Sequence, residues 1–232
     1  MEGRAIYTQW LRRISLAAVL AAHCRPEVLS AGTGPNRLRI TIYDDARLPR
    51  EILADAFDRL QVILQQAKIA SHPVLGDRAD PEASLFMYIA TPSAGEESRI
   101  GCGARRDIAL KIVGSSPKSL AQDVLGMSSP FVAFGLNVRM FNDHIREAAL
   151  RYNLPHAAVL AYAMAHEIGH VLLRSGSHGS GGIMSGVWTA REYQQIAQGA
   201  LVFSDGEAMR MWTNLLTPAC PKPDRRPTWA DQ

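Results

Sequence analysis

"HEIGHVLLRSGSHGSGGIM", residues 166–184, places three histidines, one glutamate and five glycines in nineteen positions. Its first five residues fit H-E-x-x-H, a spacing in which two imidazoles on one helix face bind zinc and the glutamate works on a water. On a helix, His166 and His170 lie four residues apart and share a face. Glu167 is rotated by about 100° from His166, so it can reach a water on such an ion without being a ligand. Neutral nitrogen ligands leave zinc acidic enough to bring the pKa of its water to about 7.

The flanks decide what kind of helix this is. "HAAVLAYAMAHEIGHVLL" (156–173) has no interior proline, a single interior glycine (Gly169), and Pro155 ahead of it. Apolar residues occur nearly all round it, which predicts a buried helix. Buried polar groups need partners, so a His-Glu-His set there calls for a reason. Gly and Ser from Ser175 to Gly186 read as a loop, with the helix ending near Gly176.

A catalytic zinc takes three protein ligands. Two candidates for the third stand downstream, His178 and Glu192. Glu192 closes "TARE" (189–192), an S/T-x-x-E capping box that would occupy it at its own helix start, as "SDGE" (204–207) would occupy Glu207. His178 sits among glycines and serines with no core to want it, and is the preferred ligand. Glu192 stays open as the alternative. His72, His144 and His156 fall outside ligand spacing and read as surface or helix-end residues.

Upstream, "RLRITIY" (37–43) alternates Leu38, Ile40 and Ile42 against Arg39, Thr41 and Tyr43, the period of a half-buried strand. "PREILADAFDRLQVILQQAKI" (49–69) switches to a helical stripe of Ile52, Leu53, Ala56, Leu60, Leu64 and Ala67, opened by Pro49. "SLFMYIAT" (84–91), "DIALKIV" (107–113) and "FGLNVRMF" (134–141) have strand composition, and "NDHIREAALRYN" (142–153) reads as a short helix. Pro92–Arg106 and Gly114–Pro130 read as loops, the second with one short helical turn. The pattern predicts an α+β domain over 37–217, after an N-terminal segment and linker (1–36) and before an irregular Pro-rich tail (218–232).

Composition narrows the function classes. With 47% hydrophobic and 20% charged residues the chain is globular. A net charge of +3 and no Lys/Arg cluster with interleaved aromatics point away from nucleic acid. The longest apolar run, Ile14–Ala22, is about half of a membrane span. Behind Arg12 and Arg13 it has the layout of a secretory signal, the alternative being an amphipathic helix lying on the domain. Location is therefore secreted or cell-envelope exported on the first reading, cytoplasmic on the second. Of the three cysteines, Cys24 would leave with a signal, making Cys102 and Cys220 a candidate disulfide; none has zinc-site spacing.

The 166–184 stretch resembles the metzincins, zinc endopeptidases with H-E-x-x-H-x-x-G-x-x-H and a methionine turn. His166, Glu167 and His170 match the first five positions, and Met184, eighteen residues after His166, looks like the methionine beneath the metal. The chain is more closely similar to bacterial predicted metalloproteases with HEIGHxLLxxxSHxxxGIM, over about residues 37–216. That resemblance implies a small mixed sheet with a long helix, an active-site helix, a Met-turn loop and C-terminal helices. It further implies one catalytic Zn2+ on His166, His170 and His178, Glu167 as general base, and a peptide or protein substrate lying along an edge strand, for which Leu136–Phe141 is the candidate. The chain departs from the pattern in having seven residues, not five, between His170 and His178, with Leu173 at the usual glycine and Gly186 where some members have tyrosine. Two other readings stand beside it: a thermolysin-like ligand set with Glu192, and a non-catalytic domain of the same fold.

Overall fold

The computed structural model describes residues 37–69, 71–74, 85–90, 108–130 and 136–216. The signal-like segment and linker, all three cysteines, the 92–106 loop and the C-terminal tail lie outside them. In order come β1 (Arg37–Asp44), α1 (Arg50–Gln66), β2 (Ser71–Val74), β3 (Leu85–Ala90), β4 (Ile108–Val113), β5 (Gly126–Ser128), β6 (Leu136–Phe141), α2 (Asn142–Arg151), α3 (His156–Leu173), α4 (Ala190–Ala197) and α5 (Asp205–Leu216). The fold is mixed, with one six-stranded sheet in the order β2-β3-β1-β4-β6-β5. β1, β4 and β6 run parallel to one another, while β3, β2 and β5 join antiparallel.

Alternation places the core. Ile40 and Ile42 of β1, Ile108, Leu110 and Ile112 of β4, and Val138 and Met140 of β6 are buried, whereas Arg139 is exposed and Lys111 half-exposed. α1 adds Leu53, Ala56, Phe57, Leu60, Ile63 and Leu64 along one stripe, with Pro49 as N-cap rather than a first-turn residue. α3 packs on α1, α2, α4, α5, β5 and β6, which is why it is buried from Ala157 to Ala165 and again at Ile168 and Leu172. An apolar helix surrounded on all sides needs no amphipathic stripe. Among the described residues, no helix is long and apolar enough to cross a membrane.

Four expectations are corrected. The 114–130 loop contains a strand, β5, and that strand is one of the two edges of the sheet, β2 being the other; Leu136–Phe141 is interior, between β4 and β5. β2 was not anticipated, and His72 lies in it. α3 ends at Leu173, earlier than the Gly-rich segment suggests, because Arg174 takes a left-handed conformation (φ 51°) as C-cap. That conformation is unusual for a residue with a Cβ. Hydrogen bonds from the Arg174 guanidinium to the Asn214 carbonyl (2.6 Å) and from Asn214 Nδ2 to the Leu172 carbonyl (3.0 Å) hold it there. Finally, His144 begins α2 but is buried, its ring between the Val124 carbonyl (2.8 Å) and the Ser116 hydroxyl (2.7 Å).

Both capping boxes form. The Thr189 amide and hydroxyl donate to Glu192 Oε2 at 2.8 and 2.6 Å. At the start of α5, the Ser204 amide donates to Glu207 Oε2 (2.8 Å) and the Glu207 amide to the Ser204 hydroxyl (3.3 Å).

Candidate metal centre

His166 and His170 project from the same face of α3 into the loop that follows it. The loop returns two backbone carbonyls to them: His166 Nδ1 donates to Ile183 O (2.7 Å) and His170 Nδ1 to Ser175 O (2.8 Å). A carbonyl can only accept, so each Nδ1 carries the proton and each Nε2 of a neutral ring presents a lone pair. Burial favours the neutral rings. It pushes His166 down to about 4 against the pull of the Ile183 hydrogen bond, and it lowers His170 likewise, the neighbouring imidazoles adding to both. The two Nε2 atoms stand 3.1 Å apart. Two lone pairs facing each other at that distance repel, and a cation between them removes the conflict. Tetrahedral zinc with Zn–N of about 2.0–2.1 Å separates its ligand nitrogens by about 3.3–3.4 Å, so the pair fits such an ion closely.

The third imidazole arrives from the loop. His178 is exposed, and its ligand nitrogen lies within 4.8 Å of the other two. Its ring centroid is 5.3 Å from that of His166 and 4.9 Å from that of His170. These are the ones among the described residues that could hold a metal ion together. Arg174, left-handed as the C-cap of α3, turns the chain ahead of the segment that carries His178 back to the other two rings. Gly186 makes room for it: a Cβ there would stand 3.0 Å from His178 Cγ and Nδ1. The Gly179 amide, donating to Met184 O (2.7 Å), closes the loop next to His178.

Met184 is buried, 1% exposed. Its sulfur occupies the space above Gly169, where a Cβ would come within 2.6 Å of it. That close approach accounts for the one interior glycine of α3. Gly182, at φ +70°, has its would-be Cβ only 2.6 Å from Val202 O, and only glycine suits that position.

Glu167 turns from the histidine face toward the sheet edge. It is 7% exposed, and burial raises its pKa to about 7 against a hydrogen bond from Ser128. Its carboxyl lies over β5, where a Cβ at Gly126 would be 2.9 Å from Glu167 Cγ and 3.1 Å from Oε1. A carboxyl with a pKa near neutrality is matched to taking and returning a proton at pH 7. Glu192 is not brought to the histidines. Its carboxylate is committed to Thr189, and those hydrogen bonds hold it below the usual carboxylate range.

Sequence reasoning passed over several parts of this arrangement. Gly126 and Ser128 belong to a three-residue strand, too short to show a period. Ile183 and Ser175 act through backbone carbonyls, which leave no trace in side-chain type. Trp188 went unremarked; it stands edge-on to His166 (centroids 5.9 Å, 86°) and donates Nε1–H to Ile183 O at 3.2 Å. Comparison with family models, with curated proteins and with solved structures found no match.

Proposed function

We propose that this chain is a zinc-dependent hydrolase that cleaves peptide bonds, an endopeptidase of the metzincin-like kind its 166–184 stretch resembles. The observation that carries the reading is the pair of bare, carbonyl-oriented Nε2 atoms 3.1 Å apart, with a third imidazole beside them and a buried carboxyl next in sequence. Three imidazole ligands suit zinc among the available divalent ions. Zinc, when bound, supplies a Lewis acid that polarises a carbonyl and acidifies water. His166, His170 and His178 would hold it, with His166 and His170 aimed by Ile183 O and Ser175 O. Glu167 takes the proton of the attacking water and hands it to the leaving amine nitrogen. Gly126–Ser128, at the sheet edge beside Glu167, replaces Leu136–Phe141 as the backbone along which an extended peptide adds by strand pairing. The Arg12–Arg13 pair ahead of the Ile14–Ala22 apolar run supports export.

Glu167→Gln tests the reading. Zinc content should stay at that of wild type, while cleavage of a quenched-fluorescent peptide library falls by about 10²- to 10⁴-fold, the usual worth of a general base. Hydrolysis that survives the substitution removes Glu167 from the mechanism. A wild type that binds zinc but cleaves no peptide is a binding domain of this fold.

A further inference from the structure

We propose that Trp188 is a positioning residue for His166, setting the metal affinity of the site through the Ile183 carbonyl; this rests on the metal reading above. A carbonyl oxygen has two lone pairs. Both on Ile183 O are taken, one by His166 Nδ1–H at 2.7 Å and one by Trp188 Nε1–H at 3.2 Å. The amide side of Ile183 is fixed separately, by its hydrogen bond to Val202 O (3.0 Å). Trp188 therefore holds the following peptide plane, whose oxygen must point at His166 for Nε2 to face His170.

The indole is itself held in place. Its ring meets Tyr193 edge-on (6.1 Å, 85°), and Tyr193 stacks on Tyr152 at 3.8 Å and 12°. Tyr193 is buried on α4, and Tyr152 caps α2. An aromatic column anchored on two helices thus ends in one N–H aimed at the acceptor of a metal ligand. Trp188 is half-buried against the rim of the core, and that packing by itself asks for no N–H at the Ile183 carbonyl. Partners that orient a ligating histidine typically change metal affinity by about 10- to 100-fold when removed.

The test compares zinc dissociation constants of wild type, Trp188→Phe and Trp188→Leu by chelator competition, with melting of the metal-free proteins alongside. Phe keeps an aromatic ring between His166 and Tyr193 but gives up the N–H together with the pyrrole ring that carries it. W188F should weaken zinc binding by about tenfold while the metal-free protein stays folded with melting lowered less than in W188L, and W188L should weaken zinc binding further. Equal zinc affinity in W188F and wild type overturns the proposal alone, since packing without the donor would then suffice. A wild type that binds no zinc overturns the metal reading and this proposal together. Should W188F fail to fold, the wild-type indole N–H resonance carries the test: zinc must slow its exchange with solvent, and unchanged exchange refutes the coupling.

Discussion

Gly126→Ala is a perturbation whose consequence can be worked from the geometry. A Cβ at that position would lie 2.9 Å from Glu167 Cγ, 3.1 Å from Glu167 Oε1 and 3.1 Å from the Arg139 carbonyl oxygen, where ordinary contact begins near 3.4 Å. The carbonyl belongs to β6, which is paired on both sides, so the backbone is the poorer candidate to move. Glu167 must give way by about 0.5 Å, and more at the carboxyl end of the side chain, which also strains its hydrogen bond with Ser128. Misplacing a catalytic group by about 1 Å costs about 10²-fold, and a general base is worth about 10²- to 10⁴-fold in all. The expected loss in kcat/KM is therefore about 10- to 100-fold, or about 1.4–2.7 kcal/mol of transition-state stabilisation. Overpacking should also destabilise the metal-free protein by about 1–3 kcal/mol. Zinc affinity should be unaffected, because both carbonyl anchors of His166 and His170 come from the loop after α3 and not from β5. Peptide cleavage, denaturant unfolding and zinc titration on one preparation check all three. A Gly126→Ala protein with full activity and unaltered stability would refute the placement of Glu167 over the sheet edge.

Two further predictions follow from the same contacts. Elemental analysis should find about one zinc per chain in wild type and Glu192→Ala, and little in His178→Ala; Glu192→Ala should instead lose about 1 kcal/mol of stability with its capping box. Metal retained by His178→Ala would refute the three-histidine set. In the metal-free protein, Glu167, raised by burial from 4.5 to about 7, contributes stability fully present below pH 4.5 and lost as pH rises through 7. His166, lowered by burial from 6.5 to about 4, acts oppositely, its contribution being present above pH 6.5 and lost as pH falls toward 4. Glu167→Gln removes the first effect alone, so its stability should exceed that of wild type by about 3 kcal/mol at pH 8 and converge with it near pH 4. Chemical denaturation across that range measures the gap, and a gap independent of pH contradicts the buried, titrating carboxyl.

Some of this molecule was legible from residue order because its determinants are local. The four-residue spacing of His166 and His170, the apolar surround of α3, the alternation in β1, and the capping boxes at Thr189 and Ser204 each act within one element, where helical or strand period translates directly into placement. The preference for His178 over Glu192 had the same origin, since a capping box accounts for a glutamate without any tertiary contact. The positions that escaped were those whose role comes from a distant segment. β5 has three residues and gains its identity from pairing with β6, which also moved the sheet edge away from Leu136–Phe141. The end of α3 depended on α5, through the Arg174–Asn214 bonds, and so stopped short of the glycines. His144 was drawn inward by Ser116 and Val124, twenty or more residues away. Sequence by itself determined which side chains could bind a metal and the helix that presents two of them. Only the tertiary structure decided which nitrogen each presents, what lies over Glu167 and how His178 returns, because those depend on backbone carbonyls and close approaches that residue identity does not encode.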